Sequence, residues 1–289
     1  MKQLLWASLF ALFLGACGGG GGGSTYTPPS LIKIDEQNAD AAVVTSLESM
    51  GIRGIGDIIL PTGASYSSAK NIPMVAKFAK TVTTSSPSYV VESIDPVCPF
   101  GGSYTVSSDG STVVFYECGV EENVTIDGTI KAINDTTLEF IDLTVIDLND
   151  DITTYFSSAT ISAPSETEFS ATISGYATDG MNRVDYERYT VTASNITELG
   201  AIYTFNGYIK TDCLGGWIQI KTIQAIPIPN SDECPTQGEI SVIGESSEVN
   251  VKINENESIT ITLNGEPHKV YETCNDIPSL DDVCPLQPL

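Results

Sequence analysis

The chain has 289 residues, of which 13 are basic and 37 are acidic, so its formal net charge is −24. Surfaces that bind nucleic acid need clustered Lys and Arg side chains, and this composition therefore excludes a nucleic-acid partner. The same charge argues against adsorption of the protein to an anionic lipid surface.

The N-terminus has the three parts of a secretory signal peptide. Lys2 supplies the positive charge, and residues 4–14 form an apolar run that is too short to persist as a membrane-spanning helix. The sequence Leu14-Gly15-Ala16-Cys17 follows directly. This pattern predicts that residues 1–16 are a signal peptide, which is removed from the mature chain.

The motif at Cys17 resembles the lipobox of bacterial lipoproteins, with the usual Ala-then-Gly order reversed. In that family the Cys is acylated on its thiol and, after cleavage, on its new amine, so the resemblance implies that Cys17 anchors the protein in a membrane. Gly18 lacks the aspartate that tends to retain such proteins in the inner membrane, which favours the outer membrane. The glycine run and the Pro-containing stretch that follows it predict a tether over residues 17–30.

Two helical signals lie within residues 31–88, which we predict to be a small helical subdomain. Asn38 is placed to cap a first helix, with one apolar face, that stops at Gly51. Asn71 is placed to cap a second helix that runs to Val82. We expect these helices to cover an end or a face of the following sheet.

From Tyr89 onward the chain reads as strands, because apolar and polar residues alternate in about a dozen short runs. Asp-Gly, Asn-Gly, Ser-Gly and Asn-Asp pairs interrupt the runs. No βαβ alternation is present, so residues 89–289 are predicted to be mainly β, as an antiparallel meander sheet or an open barrel or sandwich. The clearest runs are 112–117, 124–132, 137–146, 152–162, 189–194, 202–210 and 217–223.

An internal repeat supports this prediction. Residues 98–115 align without gaps on residues 234–251, and a later match of 124–128 with 261–265 extends the repeat to 98–128 and 234–265. A duplicated hairpin unit that cannot bury its apolar face alone is the usual reason for such a pattern. The arrangement of Cys-Pro-x-x-Gly, strand, Cys and strand-Asp-Gly resembles a β-rich module of uncharacterised lipoproteins of Gram-negative bacteria, which implies compartment and fold but no activity.

Six cysteines besides Cys17 indicate disulfide bonds, because an even number in an exported chain is typical of an oxidising compartment. Fifteen connectivities are possible. Sequential pairing is favoured, since each such pair brackets a plausible hairpin or terminal loop. Zinc binding is not expected, because no CxxC spacing occurs and His268 is the only histidine. The predicted pairs are Cys98–Cys118, Cys213–Cys234 and Cys274–Cys284.

No catalytic or metal-binding motif is complete in this sequence, so no enzyme activity and no cofactor are predicted. Residues 147–151 (Asp-Leu-Asn-Asp-Asp) begin like a calcium loop, but Ile152 and Ser158 stand where such a loop needs Gly and Glu, which favours a hairpin tip. His268 has Glu266 nearby but no identifiable nucleophile, and Gly-x-Ser-x-Gly is absent. A glycan-acting hydrolase with paired carboxylates is the enzymatic alternative.

Aromatic residues are the candidates for ligand contact. Trp217 is the only tryptophan after the signal peptide and is the tentative ligand contact, because an indole ring can stack on a sugar. Four tyrosines in the strand region could line one face of the sheet. They are Tyr186, Tyr189, Tyr203 and Tyr208.

These observations favour a lipid-anchored cell-envelope lipoprotein of the outer membrane, facing either the periplasm or the cell exterior. Its role is predicted to be structural, adhesive or interactive rather than enzymatic, with a protein or glycan partner at the cell surface. The alternative is a periplasmic binding or carrier module whose sheet curls around an apolar ligand or a carbohydrate.

Overall fold

The computed structural model of the chain describes residues 26–50, 97–149, 151–165, 167–180, 182–197, 199–229 and 234–284. Cys17, the predicted signal peptide, the glycine run and the helix predicted to begin at Asn71 lie outside the described residues. The described residues form a mainly β fold, with fourteen strands in one sheet that does not close on itself. The strands are β1 (Ser103–Val106), β2 (Thr112–Glu121), β3 (Val124–Asn134), β4 (Thr137–Asp147), β5 (Ile152–Ser165), β6 (Glu168–Thr178), β7 (Arg183–Thr197), β8 (Gly200–Thr211), β9 (Trp217–Gln224), β10 (Ile226–Pro229), β11 (Gly238–Gly244), β12 (Ser247–Ile253), β13 (Ile259–Leu263) and β14 (Glu266–Tyr271).

The sheet is the antiparallel meander that the sequence predicted. Strands that follow one another in the chain are hydrogen-bonded neighbours from β1 to β9 and again from β11 to β14, and β11 pairs with β9. β10 continues the line of β9 and pairs with β8. Each of the seven clearest sequence runs lies inside one of these strands. Within the described ranges, three helical segments accompany the sheet: α1 (Ala39–Ser49), a 3₁₀ helix (Cys274–Asp276) and α2 (Leu280–Val283).

The two copies of the predicted repeat form hairpins with the same register. Val106 pairs with Val113 in the β1–β2 hairpin, and the aligned residues Val242 and Val249 pair in the β11–β12 hairpin. The equivalence ends after the hairpin, because Gly128 lies inside β3 whereas Gly265 lies in the turn between β13 and β14. The structure therefore supports the repeat for the hairpin and not for the second matched stretch.

A line of β-bulges crosses the sheet at one level between β2 and β8. Ser174-Gly175, which the sequence indicated as a break between runs, lies on this line in the middle of β6, and Asp127-Gly128 and Asn206-Gly207 lie on it inside the predicted runs 124–132 and 202–210. The predicted break is wrong at Ser174-Gly175, because a glycine within a strand also allows a neighbouring backbone to approach closely. A β-carbon on Gly175 would lie 1.9 Å from the carbonyl oxygen of Tyr155. Bulges aligned in this way introduce curvature into a sheet.

One face of the sheet is apolar and buried, and α1 packs against it. Buried and more exposed residues alternate along the strands, and large inward side chains such as Phe140 and Phe205 are fully buried. α1 contacts β8, β11, β12 and α2. Its apolar residues belong to the same core as those of the strands.

The helix predicted to follow Asn38 is present, but two details of the prediction are wrong. The Asn38 side chain makes no capping bond to the helix; its amide oxygen accepts from the Asp35 amide and its amide nitrogen donates to the Lys33 carbonyl. The helix is also buried on all sides except at Asp40. Its polar side chains tolerate burial because they are hydrogen-bonded: Ser46 donates to the Ala42 carbonyl at 2.7 Å, in the way that buried hydroxyls usually find partners.

The disulfide pairing corrects two of the three predicted bonds. Cys98–Cys118 is confirmed, whereas Cys213 pairs with Cys284 and Cys234 pairs with Cys274. Strands β11 to β14 are four in number, so the chain enters and leaves this part of the sheet at the same end, where Cys234 precedes β11 and Cys274 follows β14. Sequential pairing assumed that each bond closes a local loop, and sequence spacing does not reveal an even number of strands between two cysteines.

Candidate functional site

The segment Tyr26–Ile34, which we call the N-terminal strap, crosses one end of the sheet. Leu31 pairs in parallel with Trp217, and the Ile32 amide donates to the Trp217 carbonyl at 3.0 Å. The Ile32 carbonyl accepts from the Glu245 amide at 2.6 Å. The strap therefore joins the start of β9 to the β11–β12 turn.

The two ends of the strap lie on opposite faces of the sheet. At its end, Ile34 is fully buried and its amide donates to the Ser247 hydroxyl at 2.8 Å, just before α1 begins on the apolar face. At its start, the Tyr26 ring stacks under the Arg188 guanidinium, 3.6 Å from the ring centroid. Burial, followed by the negative charge of Glu187, raises the pKa of the Tyr26 hydroxyl. The chain thus reaches the outer, polar face at Tyr26.

On the outer face, one cross-strand row of polar and aromatic side chains leads to the strap. The Tyr155 and Tyr176 rings lie 5.5 Å apart on β5 and β6, and the Arg183 guanidinium stacks over Tyr176 at 3.9 Å. Arg183 also forms an ion pair with Asp185 at 2.6 Å. Through registered pairs the row consists of Asp127, Thr144, Tyr155, Tyr176, Asp185, Lys210 and Trp217.

Trp217, the tentative ligand contact, is half-buried at the β9 end of this row, directly beside the strap. Its neighbours at alternate positions, Gln219 and Lys221, are also accessible, whereas Ile218 and Ile220 are fully buried on the other face. The indole is therefore part of the outer surface and does not belong to the core.

The basic residues are concentrated on the same part of the sheet. Strands β7 to β9 carry four basic residues against two acidic ones, whereas strands β2 to β5 carry one basic residue against six acidic ones. The residues of β7 to β9 are Arg183, Arg188, Lys210 and Lys221 against Asp185 and Glu187.

The four tyrosines named from the sequence do not share one face. Tyr186, Tyr189 and Tyr203 point into the core, and only Tyr208 lies on the outer face beside Glu187. The Tyr189 hydroxyl donates to the Ser49 carbonyl of α1 at 3.3 Å. Burial raises the pKa of Tyr203 to about 12, so this side chain remains neutral. The inward tyrosines are therefore part of the packing between helix and sheet.

The acidic stretch that begins like a calcium loop makes the contacts of a hairpin tip. The stretch from Asp147 to Ile152 is the predicted hairpin tip, in which Asp147 pairs with Ile152 and its carboxylate accepts from the Asn149 amide at 3.0 Å. Within the described part of the chain, no three His, Cys, Asp or Glu side chains form a group that could hold a metal ion. Gly63-Ala-Ser65, which begins like the nucleophile motif Gly-x-Ser-x-Gly but lacks its second glycine, lies outside the described residues.

His268 takes part in a contact between α1 and the edge strand β14. Its Nε2 lies 3.2 Å from one Asp40 oxygen, and the Lys269 ammonium donates to the other oxygen at 2.9 Å. Burial works against ionisation of Asp40, but the hydrogen bonds and charges of Lys269 and His268 outweigh it and lower the pKa of this carboxyl.

We expect the Asp40 contact to depend on pH. Because the pKa of Asp40 is lower in the folded chain, its contribution is present near neutral pH and is lost as pH falls through the folded pKa. Asp40→Asn should reduce the free energy of unfolding by less than about 1 kcal/mol at pH 7, since the pair is partly exposed. Urea unfolding at pH 7 and pH 3 measures this, with Glu36→Gln as the control. An equal effect of Asp40→Asn at both pH values would contradict the assignment.

Comparisons with protein-family models, with curated proteins and with solved structures find no match to this chain. None of the helices in the described ranges has the length and apolar character to cross a membrane.

The strap contacts and the distribution of basic residues were not apparent from the sequence, because both depend on which strands become neighbours.

Proposed function

We propose that the protein is a lipid-anchored lipoprotein of the cell envelope with a structural, adhesive or interactive role and no enzymatic activity. The lipobox-like motif at Cys17 and the glycine run support the anchor. Three disulfide bonds support an oxidising compartment outside the cytoplasm. The strap supports a short tether, because the chain is already held on the sheet at Tyr26, nine residues after Cys17.

The observation that favours an interaction role over a carrier role is the way the sheet uses its two faces. The protein's own helix α1 packs on the apolar face at β8, β11 and β12, where a carrier of this architecture would hold its ligand. The outer face instead presents registered rows of polar and aromatic side chains over many strands. Such a surface suits contact with an extended partner, either a protein or a glycan.

The lipid anchor is tested by removing the acylated side chain. Cys17→Ala should move the protein from the membrane fraction to the soluble fraction after cell fractionation, because several acyl chains are needed for stable anchoring. Gly18→Ala, which changes the adjacent residue and leaves the thiol in place, should remain with the membranes. Unchanged membrane retention of Cys17→Ala would contradict the proposal.

The orientation of the domain is tested by adding protease to intact cells and to cells with a permeabilised outer membrane. Digestion on intact cells would support an adhesive or surface-structural role. Protection until permeabilisation would support a role in the periplasm.

A carrier role is the second candidate, and one feature favours it. An open cleft of about 290 Å³ lies where β8 begins and β10 ends. Its apolar lining includes Leu199, Ile202 and Ile228, which would suit the end of an acyl chain. Co-purification of the delipidated protein with bound lipid, or a higher melting temperature in the presence of lipid, would support this candidate.

A further inference from the structure

We infer that the outer face of β7 to β9 contacts the anionic phospholipid headgroups of the bilayer that holds the anchor. The contact surface, which we call the tether-side patch, consists of Arg188, Tyr208, Lys210, Trp217 and Lys221. The inference rests on the proposed acylation of Cys17 and adds to it the face that the domain turns toward the membrane.

The length and attachment of the tether are the first argument. The chain from Cys17 to Tyr26 spans nine residues, which reach at most about 31 Å when fully extended. Glycine-rich linkers of nine residues have an average end-to-end distance of about 17 Å. Tyr26 is fixed against Arg188 and next to Glu187 on the outer face. The outer face of β7 and β8 is therefore the part of the domain held nearest to the acyl chains.

The local charge is the second argument. The net charge of −24 argues against binding to anionic lipid, but strands β7 to β9 have more basic than acidic residues, even when Asp212 of the β8–β9 turn is counted. Asp127 on β3 lies five strands from β8, or roughly 24 Å at the usual strand spacing. Salt screens charges over about 8 Å under physiological conditions, so the acids of strands β2 to β4 repel the bilayer only weakly.

The available side chains are the third argument. Arg183 and Arg188 are occupied by Asp185, Tyr176 and Tyr26, whereas neither Lys210 nor Lys221 forms an ion pair within the part of the chain that the structure describes. Trp217 pairs with Lys210 in the cross-strand register. A half-buried indole beside lysines matches the interfacial region of a bilayer, where Trp and basic residues are favoured.

The experiment uses the full mature lipoprotein reconstituted in vesicles and reads Trp217 fluorescence. Signal-peptide removal leaves Trp217 as the only tryptophan, so its quenching by headgroup-labelled nitroxide lipid reports on the patch alone. We expect strong quenching in phosphatidylcholine vesicles that contain phosphatidylglycerol, and weak quenching in phosphatidylcholine alone. High salt should reduce the quenching in the anionic vesicles.

Charge reversal at the patch provides the matched comparison. Each basic residue at an anionic surface changes a binding equilibrium by about fivefold, so Lys210→Glu/Lys221→Glu should lower the ratio of docked to undocked domain by roughly 30-fold or more. Lys131→Glu/Lys252→Glu, which makes the same change in net charge at exposed positions on β3 and β12, should leave the quenching unchanged.

Flotation of the vesicles separates the inference from the function on which it rests. Protein that floats with the vesicles but shows weak, lipid-independent quenching overturns the inference and leaves the anchor intact. Equal loss of quenching in both double variants also overturns it, because net charge rather than the patch would then be responsible. Protein that fails to float overturns the anchor and the inference together.

Discussion

Replacing Gly175 by alanine is expected to lower the free energy of unfolding by at least about 3 kcal/mol. This loss combines the cost of a strained backbone conformation with that of a severe steric clash. The residue has a φ of +155°, and an added β-carbon would lie 1.9 Å from the Tyr155 carbonyl oxygen on the neighbouring strand. Neither backbone can move away, because both strands are paired on either side. Urea unfolding followed by far-UV circular dichroism measures the change as a shift in midpoint.

Gly215→Ala is the matched control for this prediction. Gly215 also has a positive φ, at +67°, but no atom lies within 4 Å of the position that a β-carbon would take. Its substitution should lower the free energy of unfolding only by the cost of a left-handed backbone conformation in alanine, about 1–2 kcal/mol. If both variants lose the same stability, the close approach at the bulge line does not constrain the fold. Failure of Gly175→Ala alone to accumulate would be the predicted effect in its strongest form.

Removal of the bond between Cys213 and Cys284 is expected to have the second large effect. The two residues are 71 positions apart, and their bond holds α2 to the β8–β9 turn. The chain-entropy relation gives about 4 kcal/mol for a loop of this size. The double variant Cys213→Ser/Cys284→Ser should therefore unfold at a much lower urea concentration than the parent protein, without leaving an unpaired thiol.

The matched control is Cys98→Ser/Cys118→Ser, which opens a loop of 20 residues and should cost about 3 kcal/mol on the same relation. Peptide mapping without reduction should recover Cys213 linked to Cys284 and Cys234 linked to Cys274. Recovery of Cys213 linked to Cys234 would contradict the structure and support the sequential pairing instead.

The strands and the hairpin repeat could be predicted from the sequence because they depend on residues that are close together in the chain. Alternation of apolar and polar residues follows from the two faces of a strand. The identical Val106, Val113, Val242 and Val249 occupy paired positions in two hairpins of the same register. Local turn residues and a repeated pattern are sufficient to specify such units.

The sheet face to which each tyrosine points could not be predicted in the same way. Tyr186 and Tyr189 are three residues apart, so uninterrupted alternation would place them on opposite faces. The bulge at Arg188, whose φ is +47° and whose amide donates to the Ser174 hydroxyl, inserts a residue and turns both rings inward. A bulge forms between two strands, and its position cannot be derived from one of them.

The features behind the proposed function also differ in whether the sequence or the tertiary structure decides them. The sequence by itself determined the antiparallel strands, the first hairpin disulfide and the resemblance at Cys17, because each depends on residues close together in the chain. Only the tertiary structure decided the two long-range disulfides and the docking of Tyr26 on the outer face. It also decided that the sparse basic residues Lys210 and Lys221 lie near that attachment point. These features depend on strand order, strand number and sheet curvature, which bring together residues that are far apart in the sequence.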